Sequence, residues 1–270
     1  MKTTVSFIGC GNMGGALARA AAASGAVSRL LLSDRDGEKA AALAVACGAL
    51  AEVSDTARAA READLLFLAV KPQVMSEALA ELAPTLAARE RGSYTIVSMA
   101  AGVTIAGIEG MLGLTAPIIR IMPNTPCSLG VGVTVYAKND LVTDEAEEAF
   151  LAVMAKSGML DPLPEELIDA ACALSGSGPA FVYLFAKSLA KAAAECGLPP
   201  EKAARYAAGT LRGAADMLAA HGDPDALIRA VCSPGGTTLA GLSALEERNF
   251  EAVAGSAVTA AYRRAQEMKK

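Results

Sequence analysis

The chain has 270 residues, of which 53% are hydrophobic; aromatics make up only 4% and Trp is absent. That length is too great for one small core and suits one large or two ordinary domains, packed from Ala, Leu, Val and Met. A net charge of −5, a sequence pI of about 5.1 and the lack of any long basic run argue against nucleic acid and anionic membranes as partners, and the shortage of aromatics argues against base-stacking platforms.

The first two dozen residues superficially resemble a signal peptide, with Lys2 before an apolar stretch. Gly9, Gly11, Gly14 and Gly15 break that stretch and Arg19 interrupts it, so it reads as part of the fold. No run of about 18 uninterrupted apolar residues suggests a membrane span. The six cysteines are scattered without a C-x-x-C pair. They read as small buried thiols in a reducing, cytoplasmic compartment, with no disulfide framework and no metal site.

Along the first half, apolar strands alternate with Ala-rich helices. Strands are predicted at Val5–Ile8, Leu30–Leu32, Leu65–Val70, Thr95–Ser98, Ile118–Met122 and Val131–Tyr136. Helices are predicted at Met13–Ala23, Glu38–Ala46 and from Asp144 to about Lys156. This rhythm predicts a doubly wound, mainly parallel sheet with helices on both faces, and runs such as "LLFLAV" suit strands buried on both sides. "FIGCGNMGGA" sets Gly9, Gly11 and Gly14 in a G-x-G-x-x-G pattern between a strand and a helix. Gly9 permits the tight turn, Gly11 lets the backbone approach a dinucleotide diphosphate, and Gly14 permits close helix–strand packing. Ile8, Cys10, Asn12 and Met13 complete this cofactor loop, whose free N–H groups suit the diphosphate.

The second strand ends in "LLSDRD". Asp34 stands about 20 residues after Gly14, where an acid would hold a ribose 2′-hydroxyl of NADH. Ser33 and Arg35 beside it suit a 2′-phosphate instead. The expectation is NADPH, with NADH possible, and Asp34 pointing away or paired with Arg35. "AVKPQ" closes a third apolar strand and puts Ala69, Val70, Lys71 and Pro72 at the cofactor. In "RIMPNTP", Asn124 is held in a stiff turn, where it orients the nicotinamide amide or the substrate, or else makes a structural Asx-turn.

From Glu165 onward strand signals are nearly absent. Ala203, Tyr206, Thr210, Leu211, Ala214, Met217 and Leu218 keep helical spacing, as do Phe250, Val253, Ala254, Ala257, Val258 and Ala261. The boundary falls at "DPLPEE", giving a dinucleotide-binding domain over 1–162 and a helical domain over 163–270. The latter buries its small apolar residues against another subunit, or forms a self-contained bundle. "CSPGGTTLAGLSALE" spends Ser233, Pro234, Gly235, Gly236, Thr237 and Thr238 on a single helix start. One good cap would need fewer, so an anionic ligand is the better reading. "LSGSGPA" carries a second tight turn at Ser175 and Gly176. The only histidine, His221, sits in a helix-ending turn and makes a poor proton shuttle. A shortage of acids and bases fits reduction of C=N, since an imine can be protonated by water.

Together "FIGCGNMG", "AVKPQ", "SMAAGVTI", "RIMPNTP", "LSGSGPAFVY" and "VCSPGGTTLAGLSALE" resemble pyrroline-5-carboxylate reductases, in order along nearly the whole chain. The resemblance implies an N-terminal Rossmann domain, and an all-α C-terminal dimerisation domain whose dimers assemble further, commonly into decamers. It implies hydride transfer from NAD(P)H to Δ1-pyrroline-5-carboxylate, giving L-proline. It makes Thr238 the partner of the ring nitrogen, with Ser233, Gly235, Gly236, Thr237, Ser175 and Gly176 around the substrate. The alternatives are a β-hydroxyacid dehydrogenase and a non-enzymatic NADPH sensor. The first would need a lysine just after its glycine motif, and Lys187 lies too far past Gly178. The second would leave Ser233–Thr238 without a task.

Overall fold

The computed structural model describes residues 2–268. Eight strands form one sheet in the order β3-β2-β1-β4-β5-β6-β7-β8. They are β1 (Thr3–Ile8), β2 (Val27–Ser33), β3 (Ala51–Val53), β4 (Leu65–Leu68), β5 (Thr95–Ser98), β6 (Ile118–Met122), β7 (Gly132–Lys138) and β8 (Gly158–Pro162). All neighbours run parallel except β6 and β7. Between the strands lie α1 (Asn12–Ala23), α2 (Gly37–Cys47), α3 (Thr56–Glu62), α4 (Met75–Ala87), α5 (Ile105–Leu112) and α6 (Asp144–Met154). The parallel neighbours are joined through these helices, the one reversal, from β6 to β7, is made by a 3-10 turn over Thr125–Leu129, and each face of the sheet is covered. α3, α4 and α5 pack on one side with Leu66, Leu68 and Ile96; α1, α2 and α6 pack on the other with Phe7, Phe67 and Phe150. Phe7 stacks on Phe67 with ring centroids 4.4 Å apart, and Phe150 meets the edge of Tyr136.

Two compact units emerge. Of the described residues, the first holds 2–177 with 261–268, and the second holds 178–260. The first unit includes α7 (Ile168–Ala171) and a π-helical turn over Cys172–Gly176. The second holds α8 (Gly178–Glu195), α9 (Pro200–His221), α10 (Pro224–Val231), α11 (Thr237–Glu246) and most of α12 (Phe250–Glu267).

The structure departs from the sequence reading in three places. β3 and β8 were not anticipated. β4 stops at Leu68, because Ala69 and Val70 leave the sheet to line a cleft. Among the cysteines only Cys10 and Cys127 are buried, and Cys196 is exposed, so the uniform picture of buried thiols does not hold. Of the two readings of the helical half, the structure sets aside the self-contained bundle. Among its described residues only Ala203 and Ala207 are buried, while Tyr206, Met217 and Leu218 of the anticipated stripe are exposed. In addition, the stretch Glu165–Glu195 is long and apolar enough to cross a membrane by length and composition. Scanning for uninterrupted apolar runs overlooks it because Lys187 and Lys191 interrupt it.

Arg120 stands on β6 at 1% exposure. Its guanidinium donates to Asp169 Oδ1 at 3.0 Å and to Glu165 Oε1 at 3.2 Å, and Asp169 Oδ2 accepts from Gln266 of α12 at 3.2 Å. Removing one member of a buried pair strands the other charge without solvent. Arg120→Met is therefore expected to lower stability by about 3–5 kcal/mol, read as a fall in the urea midpoint at fixed protein concentration. An unchanged midpoint would show that the pair does not hold this segment.

Candidate active site

The loop between β1 and α1 is shaped by three close approaches. Gly9 has φ +102°, and a Cβ there would stand 2.6 Å from the Ala69 carbonyl oxygen. A Cβ on Gly14 would overlap the Gly9 carbonyl and lie 2.7 Å from Ala69 Cβ. At Gly11 a Cβ would meet nothing within 4 Å. Gly9 N–H donates to the Ser33 carbonyl at 2.7 Å, which ties the loop to the end of β2. Gly9 and Gly14 are thus required by the protein's own packing, whereas the open space at Gly11 is left for something else.

A cleft of about 360 Å³ opens above this loop. Ile8, Gly9, Gly11, Ser33, Arg35, Ala69, Val70 and Lys71, all expected at the cofactor, line it; so do Asp34, expected to point away or pair with Arg35, and Thr56, Val74, Ala78 and Glu81, for which no role was expected. Pro72 begins the 3-10 turn after Lys71, which is extended as a residue before proline must be. α1 begins at Asn12 and Met13 with Gly11 as its N-cap, no capping side chain and no acid in its first turn. By contrast α2, α3, α5, α6 and α10 are capped by Asp36, Asp55, Thr104, Thr143 and Asp223. The positive end of α1 is therefore left for an anion, and this fits a dinucleotide diphosphate.

The ribose end is more heavily wired than the sequence suggested. Asp34 does not pair with Arg35. Its Oδ2 accepts from Cys10 N–H at 2.6 Å and its Oδ1 from Asp36 N–H at 2.9 Å. Arg35 instead meets Glu77 of α4, Nη2 to Oε1 at 2.6 Å. Glu77 raises the Arg35 pKa and is itself held below the usual carboxylate range by the guanidinium. Ser33 is buried, and its hydroxyl shares a 3.1 Å hydrogen bond with Thr56. Burial, and after it the Asp34 charge, pushes the Cys10 thiol up to about 12, so it stays protonated and acts as packing.

Asn124 is 7% exposed. Its Nδ2 donates to the Ser175 carbonyl at 3.0 Å and its Oδ1 accepts from Val133 N–H at 2.9 Å, which leaves one amide hydrogen for a ligand. Ser175 and Gly176 lie in the π-helical turn, where Ser175 Oγ donates to the Ala171 carbonyl at 2.8 Å. Such turns interrupt helices at functional places and here lift a carbonyl out of the helical ladder.

In the second unit, Ser233 to Gly236 form a turn, with Gly236 N–H donating to the Ser233 carbonyl at 2.9 Å. Gly235 has φ +68°, and a Cβ on Gly236 would overlap Ser233 Oγ. α11 starts at Thr237 and Thr238, with Gly236 as N-cap, no capping side chain and no acid in its first turn. Both threonines are exposed. The hydroxyls at this helix start therefore do not serve as its cap.

A larger hollow of about 540 Å³ lies at Ile105, Tyr136, Lys138 and Glu165, lined by no residue of the glycine loop. Its polar groups are already spent: Tyr136 and Lys138 bind Glu147, and Glu165 accepts from Arg120 and Ile105 N–H. Among the described residues, no group of three or more His, Cys, Asp or Glu side chains is placed to hold a metal ion.

Residues 165–268 match the family model for pyrroline-5-carboxylate reductase dimerisation, and residues 4–102 match that for NADP oxidoreductase, coenzyme F420-dependent. The pyrroline-5-carboxylate reductase of Escherichia coli (strain K12) is 36% identical over the full length of both chains. The chain belongs to the pyrroline-5-carboxylate reductase family. A solved pyrroline-5-carboxylate reductase from Coxiella burnetii superposes with a TM-score of 0.90 at 33% identity, covering 100% of both chains. One from Plasmodium falciparum, solved with NADP bound, gives 0.87 at 29% identity, covering 99% of this chain and 98% of that one. Membership in this reductase family carries the reaction, an NAD(P)H-dependent reduction of Δ1-pyrroline-5-carboxylate to proline, and sets aside the dehydrogenase and sensor readings. The α/β unit is a Rossmann-type domain and the helical part is the family's dimerisation region, so the enzyme is a homo-oligomer.

The glycine geometry separates two substitutions. Gly14→Ala forces a side chain into backbone and is expected to cost about 1–3 kcal/mol of stability. Gly11→Ala is expected to stay within about 0.5 kcal/mol of the parent in thermal unfolding, yet to bind NADPH about tenfold more weakly by calorimetry. Equal affinity in Gly11→Ala would mean that the diphosphate does not approach this backbone.

Proposed function

We propose that α1 holds the diphosphate of NADPH and that the turn from Ser233 to Thr238 holds the substrate's carboxylate and ring nitrogen. The observation that carries this is electrostatic. Among the helices of at least eight residues with a defined N-cap, α1 and α11 lack both a capping side chain and a first-turn acid. Two helix ends left electropositive suit the two anionic groups that the reaction brings together. Ser233, Gly235, Gly236 and Thr237 would surround the carboxylate, and Thr238 Oγ would meet the nitrogen. Ser175 and Gly176 would face the ring, and Asn124 would use its remaining amide hydrogen at the nicotinamide or the substrate. Ile8, Cys10, Asn12, Met13, Ala69, Val70, Lys71 and Pro72 would frame the dinucleotide, with Ser33 and Arg35 at the 2′-phosphate.

The bound dihydronicotinamide supplies a hydride to the imine carbon. Solvent supplies the proton on nitrogen, since the imine is basic enough to be protonated in water and no acid is needed at Thr238. Thr238 holds the ring so that its carbon faces the donor; correct placement of two reactants can remove several kcal/mol of barrier. Residues 1–162 would serve the cofactor, and 163–270 the subunit contact and the substrate. The apolar faces left open on α8 and α9, together with the apolar stretch Glu165–Glu195, fit burial against a second copy, in dimers that associate further to a decamer. Free cysteines fit a cytoplasmic location.

Thr238→Ala is expected to lower kcat/KM by about 10–100-fold with NADPH affinity nearly unchanged, and Thr237→Ala to do less. Full kcat/KM in Thr238→Ala, or a larger loss in Thr237→Ala, would remove Thr238 from this role. Arg35→Ala is expected to raise the KM for NADPH about tenfold or more, and that for NADH far less. Equal effects on both cofactors would mean that Arg35 does not read the phosphate.

A further inference from the structure

The mouth of the cofactor cleft holds an unusual balance of charge for an enzyme expected to take a 2′-phosphate. Arg35 and Lys71 are cations of its lining, whereas Asp34 and Glu81 are anions. Lys71 stands three residues past β4, while Arg35 stands two residues past β2, where the adenosine ribose of a dinucleotide lies. Arg35 is already engaged by Glu77 at 2.6 Å, with both side chains about two-thirds exposed at 69% and 68%. The next cation along the chain, Lys39 in the first turn of α2, is held by Asp36 at 3.1 Å. A phosphate arriving here meets no unpaired cation on the β2 loop. It must contend for the guanidinium with a carboxylate already placed on it.

Glu77 is placed by the fold and not by its neighbour in sequence. It lies in the first turn of α4, where an acid is favoured by the helix dipole, and that turn faces the cleft through Val74 and Ala78. Val74, the N-cap of α4, offers no capping side chain, so helix and guanidinium both draw on the same carboxylate. NADH, with a 2′-hydroxyl, makes no demand on Arg35, and Asp34 stands beside the loop as an acceptor for ribose hydroxyls. The exchange therefore burdens NADPH alone.

We propose that Glu77 is a specificity-determining residue, which competes with the 2′-phosphate for Arg35 and so narrows the preference of this reductase for NADPH over NADH. This rests on the reading of Arg35 as the phosphate contact. Exposed ion pairs are weak, so the effect is graded: the pair lowers the preference without abolishing it.

The test is a double-mutant cycle read by equilibrium binding. Dissociation constants for NADPH, NADH and 2′,5′-ADP are measured by calorimetry on the full chain with Glu77→Gln, with Arg35→Ala and with both. Glu77→Gln is expected to tighten NADPH and 2′,5′-ADP by about two- to fivefold and to move NADH by much less. In the Arg35→Ala background the same substitution is expected to do nothing, because the contested group is gone. Tightening that persists without Arg35 would make Glu77 a simple repulsive charge and overturn the proposal, as would an unchanged NADPH constant in Glu77→Gln alone. If Arg35→Ala weakens NADPH and NADH equally, the reading of Arg35 itself fails, and that arm identifies the failure independently of Glu77.

Discussion

A guanidinium in the middle of a sheet has to be answered on every side. Arg120 is almost completely buried on β6, and burying such a charge costs several kcal/mol before any partner is counted. Asp169 and Glu165 answer it, while its Nε finds no partner. What this buried pair accomplishes is placement. Just beyond Arg120 the same strand runs into Asn124, whose amide donates to the carbonyl of Ser175. One strand thus grips both ends of the segment holding α7 and the π-helical turn, through an ion pair at Asp169 and a hydrogen bond at Ser175. Gln266 of α12 closes on Asp169 from the other side. A turn with irregular hydrogen bonding is held between two fixed points, and this lets its carbonyl and its glycine keep one orientation.

The same economy of fixed points governs the helix ends. A free helix N-terminus is costly when nothing answers it, and five helices here answer it with an Asp or Thr side chain. α1 and α11 have neither such a cap nor an acid in the first turn, and each is preceded by glycines whose missing Cβ keeps the approach open. Stability is given up at two helix ends, and each becomes a place where an anion is favoured. On the proposed reading, which places no acid or base at the substrate, such fixed dipoles and hydroxyls would be what orients the reactants.

Much of this was legible in the sequence, for identifiable reasons. β1, the glycine loop and α1 are local: strand, turn and helix are specified by adjacent residues, and the apolar strands β4, β5 and β6 are buried on both faces and read as such. β3 and β8 escaped. Both lie at sheet edges, half exposed, and β8 is built from Gly158, Met159, Leu160, Asp161 and Pro162, which carry no strand periodicity. Edge strands exist because a neighbour offers a hydrogen-bond ladder, and a neighbour distant in sequence is invisible locally. The partner of Arg35 escaped for the same reason: Asp34 was adjacent, but Glu77 is brought in by α4. Thr56 and Ala78 lacked any signal beyond their fold position. A signal was present for Arg120, a lone cation inside the apolar run "IIRIM", since a charge in a doubly buried strand requires a buried partner elsewhere.

The helical unit teaches the complementary lesson. Helical spacing correctly indicated the elements but not what their apolar stripe faces. With only Ala203 and Ala207 buried, the second unit has too little core to offset the entropy of ordering its helices alone. The apolar residues Val182, Leu184, Met217 and Val231 are exposed in the single chain. A dimerisation region that lacks its own core couples folding to association, so the stability of these helices rises with protein concentration and cannot be assigned to the isolated subunit. The turn from Ser233 to Thr238 belongs to that unit. On the proposed reading, the precision with which it would hold a small ring is a property of the assembly: the hydroxyls and N–H groups would come locally from the start of α11, and their rigidity from the surface that a second copy would cover.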